Sequence, residues 1–180
     1  MKYISILRGI NVSGQKKINM ADLKSLYESQ GFDGVSTYIQ SGNVIFDSKL
    51  KNKAYITKTI EAAIEEQYGF QVPVQIRTAQ EMLKVIDRMP FNDVNLVNDS
   101  TKVLVTFLSS KPTKSNIENI QKYIIEPERL IINNTHVYLY CPNGYGKTKL
   151  SNTFIEHKLG ALCTTRNWKT VCKLHELMGH

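Results

Sequence analysis

Val35-Ser36-Thr37-Tyr38-Ile39-Gln40-Ser41-Gly42-Asn43-Val44-Ile45-Phe46 is the stretch that decides the fold. Two runs rich in β-formers, Val35 to Ile39 and Val44 to Phe46, flank Ser41-Gly42-Asn43, and Ser, Gly and Asn all suit a tight turn. The stretch reads as a β-hairpin. Helices lie on both sides of it. Before it, Asn19 caps a helix that carries Leu23, Leu26 and Tyr27 on one face and stops at Gly31. After it, Ile56, Ile60, Ala63 and Ile64 make an apolar helical stripe that ends at Gly69. Strands at Tyr3 to Leu7 and Val72 to Ile76 bound the set. Thr78 and Glu81 form a capping box ahead of Met82, Leu83, Val85 and Ile86, and Pro90 ends that helix.

The second half repeats this order of elements, though not the residues. Lys102 to Leu108 is a strand with a nearly continuous apolar core. Pro112 and Thr113 start a helix carrying Ile117, Ile120 and Ile124. Leu130 to Ile132 and Val137 to Tyr140 flank Asn133-Asn134-Thr135, a second hairpin. The loop Pro142 to Lys147 leads to a helix with Leu150, Phe154, Ile155 and Leu159, stopped by Gly160. A short extended piece, Leu162 to Thr164, precedes a last helix capped by Asn167, with Trp168, Val171, Cys172, His175 and Met178 at helical spacing. Both halves therefore read β-α-β-β-α-β-α. The expected fold is α+β, two tandem ferredoxin-like halves at residues 1–91 and 101–180, joined by a polar linker at 92–100. One continuous mixed sheet is the alternative.

Composition narrows the function. The 180 residues are 42% hydrophobic and 22% charged, which is ordinary for a folded protein and excludes disorder. No apolar run approaches the roughly 20 residues of a membrane helix. The opening strand meets Arg8 too early for a signal peptide. Cys141, Cys163 and Cys172 lack C-x-x-C spacing, so reduced thiols in a cytoplasm are expected rather than disulfides or a zinc site. No metal is expected, since the four histidines share no ligand spacing. The formal charge of +7 favours anionic partners. From Cys141 onward, six lysines and arginines stand against two glutamates.

Three polar motifs sit where apolar strands should end: Arg8 to Gly14, Gln40 to Asn43, and Thr164 to Trp168. In the split βαβ plan, strands one and three are antiparallel neighbours. The end of the first strand then lies beside the start of the third, so Arg8-Gly9-Ile10-Asn11 with Lys17 should meet Gln40-Ser41-Gly42-Asn43 at one sheet edge. In the second half, the loop with Lys147 and Lys149 should meet Thr165, Arg166 and Asn167. Two polar clusters follow, one per half, and each mixes cations, amides and glycines in the way that suits an anion. The same residues also have structural uses: Ser, Gly and Asn are turn chemistry, Thr165 and Asn167 are rival helix caps, and Arg8 could pair with a carboxylate. Gly146-Lys147-Thr148 resembles the end of a Walker A loop, but Cys141 stands where the first glycine belongs, so an NTPase is excluded and no cofactor is expected.

Together these motifs are familiar. Tyr3 to Val12, Lys17 to Leu23, Thr37 to Val44, Pro90-Phe91, Gly144 to Leu150 and Thr164 to Val171 resemble the bacterial family labelled domain of unknown function 1697, nearly end to end. Ser13 stands where that family more often has Gly. The resemblance implies a tandem ferredoxin-like fold. It brings no reaction with it, so it assigns no catalytic residue. The candidate ligand-binding residues are Arg8, Asn11, Lys17, Gln40, Ser41, Asn43, Lys147, Lys149, Thr165, Arg166 and Asn167. The expected ligand is an anionic, phosphate-bearing molecule, either a small metabolite or nucleic acid. The alternatives are an enzyme acting on such a ligand, although no general base is visible, and an interaction module whose polar motifs are structural. Oligomeric state is not readable from the sequence.

Overall fold

The structure, a computed structural model, describes residues 1–179. The first half runs β1 (Lys2–Leu7), α1 (Met20–Ser29), β2 (Asp33–Tyr38), β3 (Asn43–Asp47), α2 (Lys53–Tyr68), β4 (Val74–Thr78) and α3 (Ala79–Asp87). The second runs β5 (Val103–Leu108), α4 (Lys114–Gln121), β6 (Arg129–Asn133), β7 (His136–Tyr140), α5 (Asn152–Leu159), β8 (Cys163–Asn167) and α6 (Trp168–Met178). The local signals act as read. The Asn19 side chain accepts from the Ala21 and Asp22 N–H groups, and Gly69 closes α2 at φ 73°. Thr78 and Glu81 exchange backbone-to-side-chain bonds of 2.9 and 3.2 Å, a reciprocal capping box.

The strands form two four-stranded antiparallel sheets, β2-β3-β1-β4 and β6-β7-β5-β8, so the single continuous sheet is overturned. Both have the ferredoxin-like order. The register repeats as well. Ile4 lies between Ile45 and Arg77 in the first sheet, and Val105 lies between Tyr138 and Arg166 in the second. On the helix face of the first sheet, Tyr3, Leu7, Val44, Phe46, Val74 and Ile76 pack with Leu23, Tyr27, Ile56, Ile60 and Ile64. In the second, Leu104, Leu108, Val137, Leu139 and Cys163 pack with Ile120, Ile155 and Leu159. Each such fully buried aliphatic or aromatic chain contributes about 1.5–3 kcal/mol. The opposite face of each sheet is buried too, and it carries an arginine at the same register, Arg77 or Arg166.

By compactness the chain forms two units. One is Met1–Leu83 with the segment from Leu174, and the other is Lys84–Lys173. The polar stretch 92–100 folds as turns within the second unit. Arg129 Nη1 donates to both Asp93 carboxylate oxygens at 2.9 and 3.0 Å, with its guanidinium 4.9 Å from the Phe91 and Tyr140 rings.

Three local expectations change. α4 ends at Gln121, so Ile124 lies beyond it. α5 begins after Ser151, whose hydroxyl accepts from the Phe154 N–H, and Leu150 therefore precedes the helix. The last extended piece runs not over Leu162 to Thr164 but from Cys163 to Asn167, so Thr165 to Asn167 belong to the strand. Two of its five residues are β-branched threonines, and pairing with β5 satisfies its backbone.

Candidate functional site

In the first unit, the structure brings Arg8, Asn11, Gln40, Ser41 and Asn43 to one end of the sheet. The N–H of Leu7 donates to the Gly42 carbonyl at 2.8 Å, which closes the end of β1 onto the hairpin turn. Asn11 completes the junction. Its amide donates to the Ile18 carbonyl at 3.0 Å and the Gln40 carbonyl at 2.9 Å, and its oxygen accepts the Ile18 N–H at 2.9 Å. Asn43 is fully buried and donates to the Tyr38 carbonyl at 2.9 Å and Ser41 Oγ at 3.2 Å. Asn11, Ser41 and Asn43 thus build the end of the sheet. Arg8 is half-buried, while Gln40 and Lys17 are exposed.

The loop above this junction is unusual in its backbone. Gly9, Asn11, Ser13, Gly14 and Lys16 all have positive φ, with Ile10, Val12 and Gln15 between them on the ordinary side. Such alternation aims successive N–H groups to one side and makes a concavity suited to an anion. Among the described residues, the N–H groups of Ser13, Gly14, Lys16 and Lys17 find no protein acceptor, and the Lys17 ammonium has no hydrogen-bond or ion-pair partner. Lys16 is tied down by donating to the Gln71 carbonyl at 2.7 Å. Four of the five described non-glycine residues with positive φ are here: Asn11, Ser13, Lys16 and, in the adjoining turn, Ile39. Left-handed backbone costs about 1 kcal/mol or more for Ser13 and Lys16, most for β-branched Ile39, and least for Asn11.

In the second unit, the loop after β7 does meet β8. Tyr145, in a single 3-10 turn at Tyr145–Lys147, donates to Thr165 Oγ1 at 3.4 Å. Thr165 also bonds Thr106 Oγ1 at 2.7 Å and donates to Asn152 Oδ1 at 2.6 Å. Asn167 Oδ1 accepts the Thr170 N–H at 2.8 Å and so caps α6. The candidates do not converge, however. Strand alternation puts Thr165 on the helix face with Thr106 and sends Arg166 to the other face. Arg166 is 9% exposed and donates to Thr164 Oγ1 and the Thr165 carbonyl. Burial pushes its guanidinium down to about 10, which still leaves it charged at neutral pH. Lys147 and Lys149 are exposed and have no such partners among the described residues.

Several chemistries find little support in the geometry. Burial, then the Glu128 charge, push the Cys141 thiol up to about 11, and burial raises Cys172, opposite to what a thiolate nucleophile needs. No group of three or more metal-ligating side chains occurs among the described residues. Gly146-Lys147-Thr148 does not open an α-helix, because α5 begins only at Asn152. No helix among the described residues is long and apolar enough to cross a membrane. Nothing in the residue pattern points to the bond from Lys16 to Gln71 or marks Ile39 as left-handed.

The comparisons agree with the fold. The model of the family described as "Protein of unknown function (DUF1697)" matches residues 1–138. No curated protein matches the chain. Among solved structures, the conserved bacterial protein SP0830 from Streptococcus pneumoniae is 22% identical, with 98% of each chain covered and a TM-score of 0.78. That likeness shows the fold alone.

Proposed function

We propose that this chain, which belongs to the DUF1697 family, binds an anionic, phosphate-bearing ligand at the loop Arg8 to Lys17 of its first unit. The observation that carries the reading is the strained loop. Three non-glycine residues of the loop, Asn11, Ser13 and Lys16, are held left-handed, and Asn11 ties the loop to itself through two bonds with Ile18 and to the hairpin turn through the Gln40 carbonyl. Strain of this kind has no use for the core and is common where backbone is pre-arranged for a ligand. Lys17 and Arg8 supply charge, the loop N–H groups supply donors, and the exposed Gln40 side chain is placed to orient the ligand. The protein is taken to work in the cytoplasm, where its thiols stay reduced.

A thermal-shift series at low and moderate salt tests this, with nucleotides, sugar phosphates and short oligonucleotides as probes. A ligand at 100 times its Kd stabilises by about 2.7 kcal/mol. For a chain of this length that raises Tm by roughly 5–10 °C. The shift should vanish in Lys17→Gln, with the unliganded Tm unchanged, and should shrink in Arg8→Gln. No shift from any phosphate compound, or an undiminished shift in both variants, removes the reading.

A further inference from the structure

The second unit has its own groove, of about 540 Å³, lined by Thr148, Lys149, Ser151, Thr153, Phe154 and His157. It is lined mainly by apolar surface and by no carboxylate. Phe154 is its aromatic wall, and that ring is fixed before any ligand arrives. Its N–H caps onto Ser151 Oγ at 3.3 Å. Its ring meets Tyr123 edge-on with centroids 5.4 Å apart. The Lys158 ammonium lies 5.6 Å from the Phe154 ring and 4.1 Å from that of Tyr123, and donates to the Tyr123 hydroxyl at 2.9 Å. Phe154 remains half-buried, so part of the ring faces the groove. Beside it stand Lys149 and His157, both exposed and without hydrogen-bond or ion-pair partners among the described residues.

A rigid aromatic wall with free nitrogen donors at its rim matches one ligand chemistry: a flat base joined to a phosphate. The ring offers stacking, the lysine offers charge, and the lysine and imidazole offer hydrogen bonds to phosphate oxygens. We propose that this groove binds a nucleotide, with the base on Phe154 and the phosphate at Lys149 and His157. The nucleotide is either free or part of a single-stranded nucleic acid. This site is independent of the loop in the first unit.

Calorimetric titration of the full chain tests it, with AMP, ribose 5-phosphate and an octa-adenylate as probes. AMP should bind at least tenfold more tightly than ribose 5-phosphate, because stacking on an aromatic side chain adds roughly that factor or more. Phe154→Leu keeps an apolar side chain but removes the ring, and it should bring AMP down to the affinity of ribose 5-phosphate. Should that variant fold poorly, Lys149→Gln, at an exposed position, decides: it should weaken AMP and ribose 5-phosphate by the same factor. Octa-adenylate tighter than AMP, with a steep salt dependence, identifies a nucleic acid strand. Equal affinities identify the free nucleotide. AMP binding no better than ribose 5-phosphate, binding of neither AMP nor octa-adenylate at millimolar concentration, or AMP affinity unchanged in both Phe154→Leu and Lys149→Gln, overturns the proposal. Lys17→Gln should leave this isotherm in place, so failure here and failure at the first unit's loop are read apart.

Discussion

Gly42→Ala is the sharpest test of how the hairpin turn supports the first unit's loop. Gly42 has φ +80°, so an alanine there is left-handed, at a cost of about 1–2 kcal/mol. The added Cβ would also stand 2.6 Å from Ile10 Cδ1 and 2.9 Å from Leu7 Cβ. Ile10 and Leu7 are both buried, and a Cβ cannot rotate away, so relief needs backbone movement. Overpacking of this sort costs about 1–3 kcal/mol more. The total is about 2–5 kcal/mol, a large share of an ordinary stability of about 5–15 kcal/mol. Gly9→Ala is the matched control. Gly9 has φ +68°, but a Cβ there meets nothing within 4 Å, so only the left-handed cost applies. Urea unfolding of the two variants separates the terms: the midpoint for Gly42→Ala should fall well below that for Gly9→Ala. Equal midpoints would show that the turn yields freely and that the junction of Leu7, Ile10 and Gly42 is not tight.

Other substitutions probe the same account. Asn11→Ala removes the side-chain bonds to Ile18 and Gln40, so it should cost about 2–4 kcal/mol and speed amide exchange at Val12 to Lys17. Thr165→Val leaves the fully buried Thr106 hydroxyl without its partner and should cost about 1–3 kcal/mol in denaturant melts; Thr106→Val added to it should recover part of the loss. For Glu81, burial raises the carboxyl, but hydrogen bonds from Lys53 and the Thr78 N–H, with the Lys53 and Arg77 charges, bring it below the usual range. Its contribution is therefore present above the unfolded value of about 4.3 and is lost as pH falls through the depressed folded value. Because the side chain is 38% exposed, wild type should exceed Glu81→Gln by less than about 1 kcal/mol at pH 6, and the gap should close as the pH falls through the depressed folded value.

What the sequence revealed and what it hid divide along physical lines. Asn19, Gly69, Thr113 and the Thr78–Glu81 box are local devices, so they could be read from neighbours a few residues away. The meeting of Arg8 with Gln40 was also legible, because antiparallel order in a split βαβ unit forces it. The strand character of Thr165 to Asn167 was not. The polar residues read as following the extended piece at Leu162 to Thr164, and only pairing with β5 shows that they continue it as a strand whose alternation parts Thr165 from Arg166. The left-handed Lys16 and Ile39 were hidden for a similar reason, since the bond from Lys16 to Gln71 and the bond from Asn11 to Gln40, the residue after Ile39, join residues far apart in the chain. Phe154 read as part of a core stripe because its half-open ring depends on where α5 begins.

The central claim is that the first unit's loop receives a phosphate-bearing anion. Amide chemical shifts of the isotopically labelled chain, followed during titration with the compound giving the largest thermal shift, test it most directly. The account expects saturable movement of the Gly9 to Lys17 amides and of Gln40 to Gly42, lost in Lys17→Gln. Saturable movement confined to other residues, with these amides still, would contradict it.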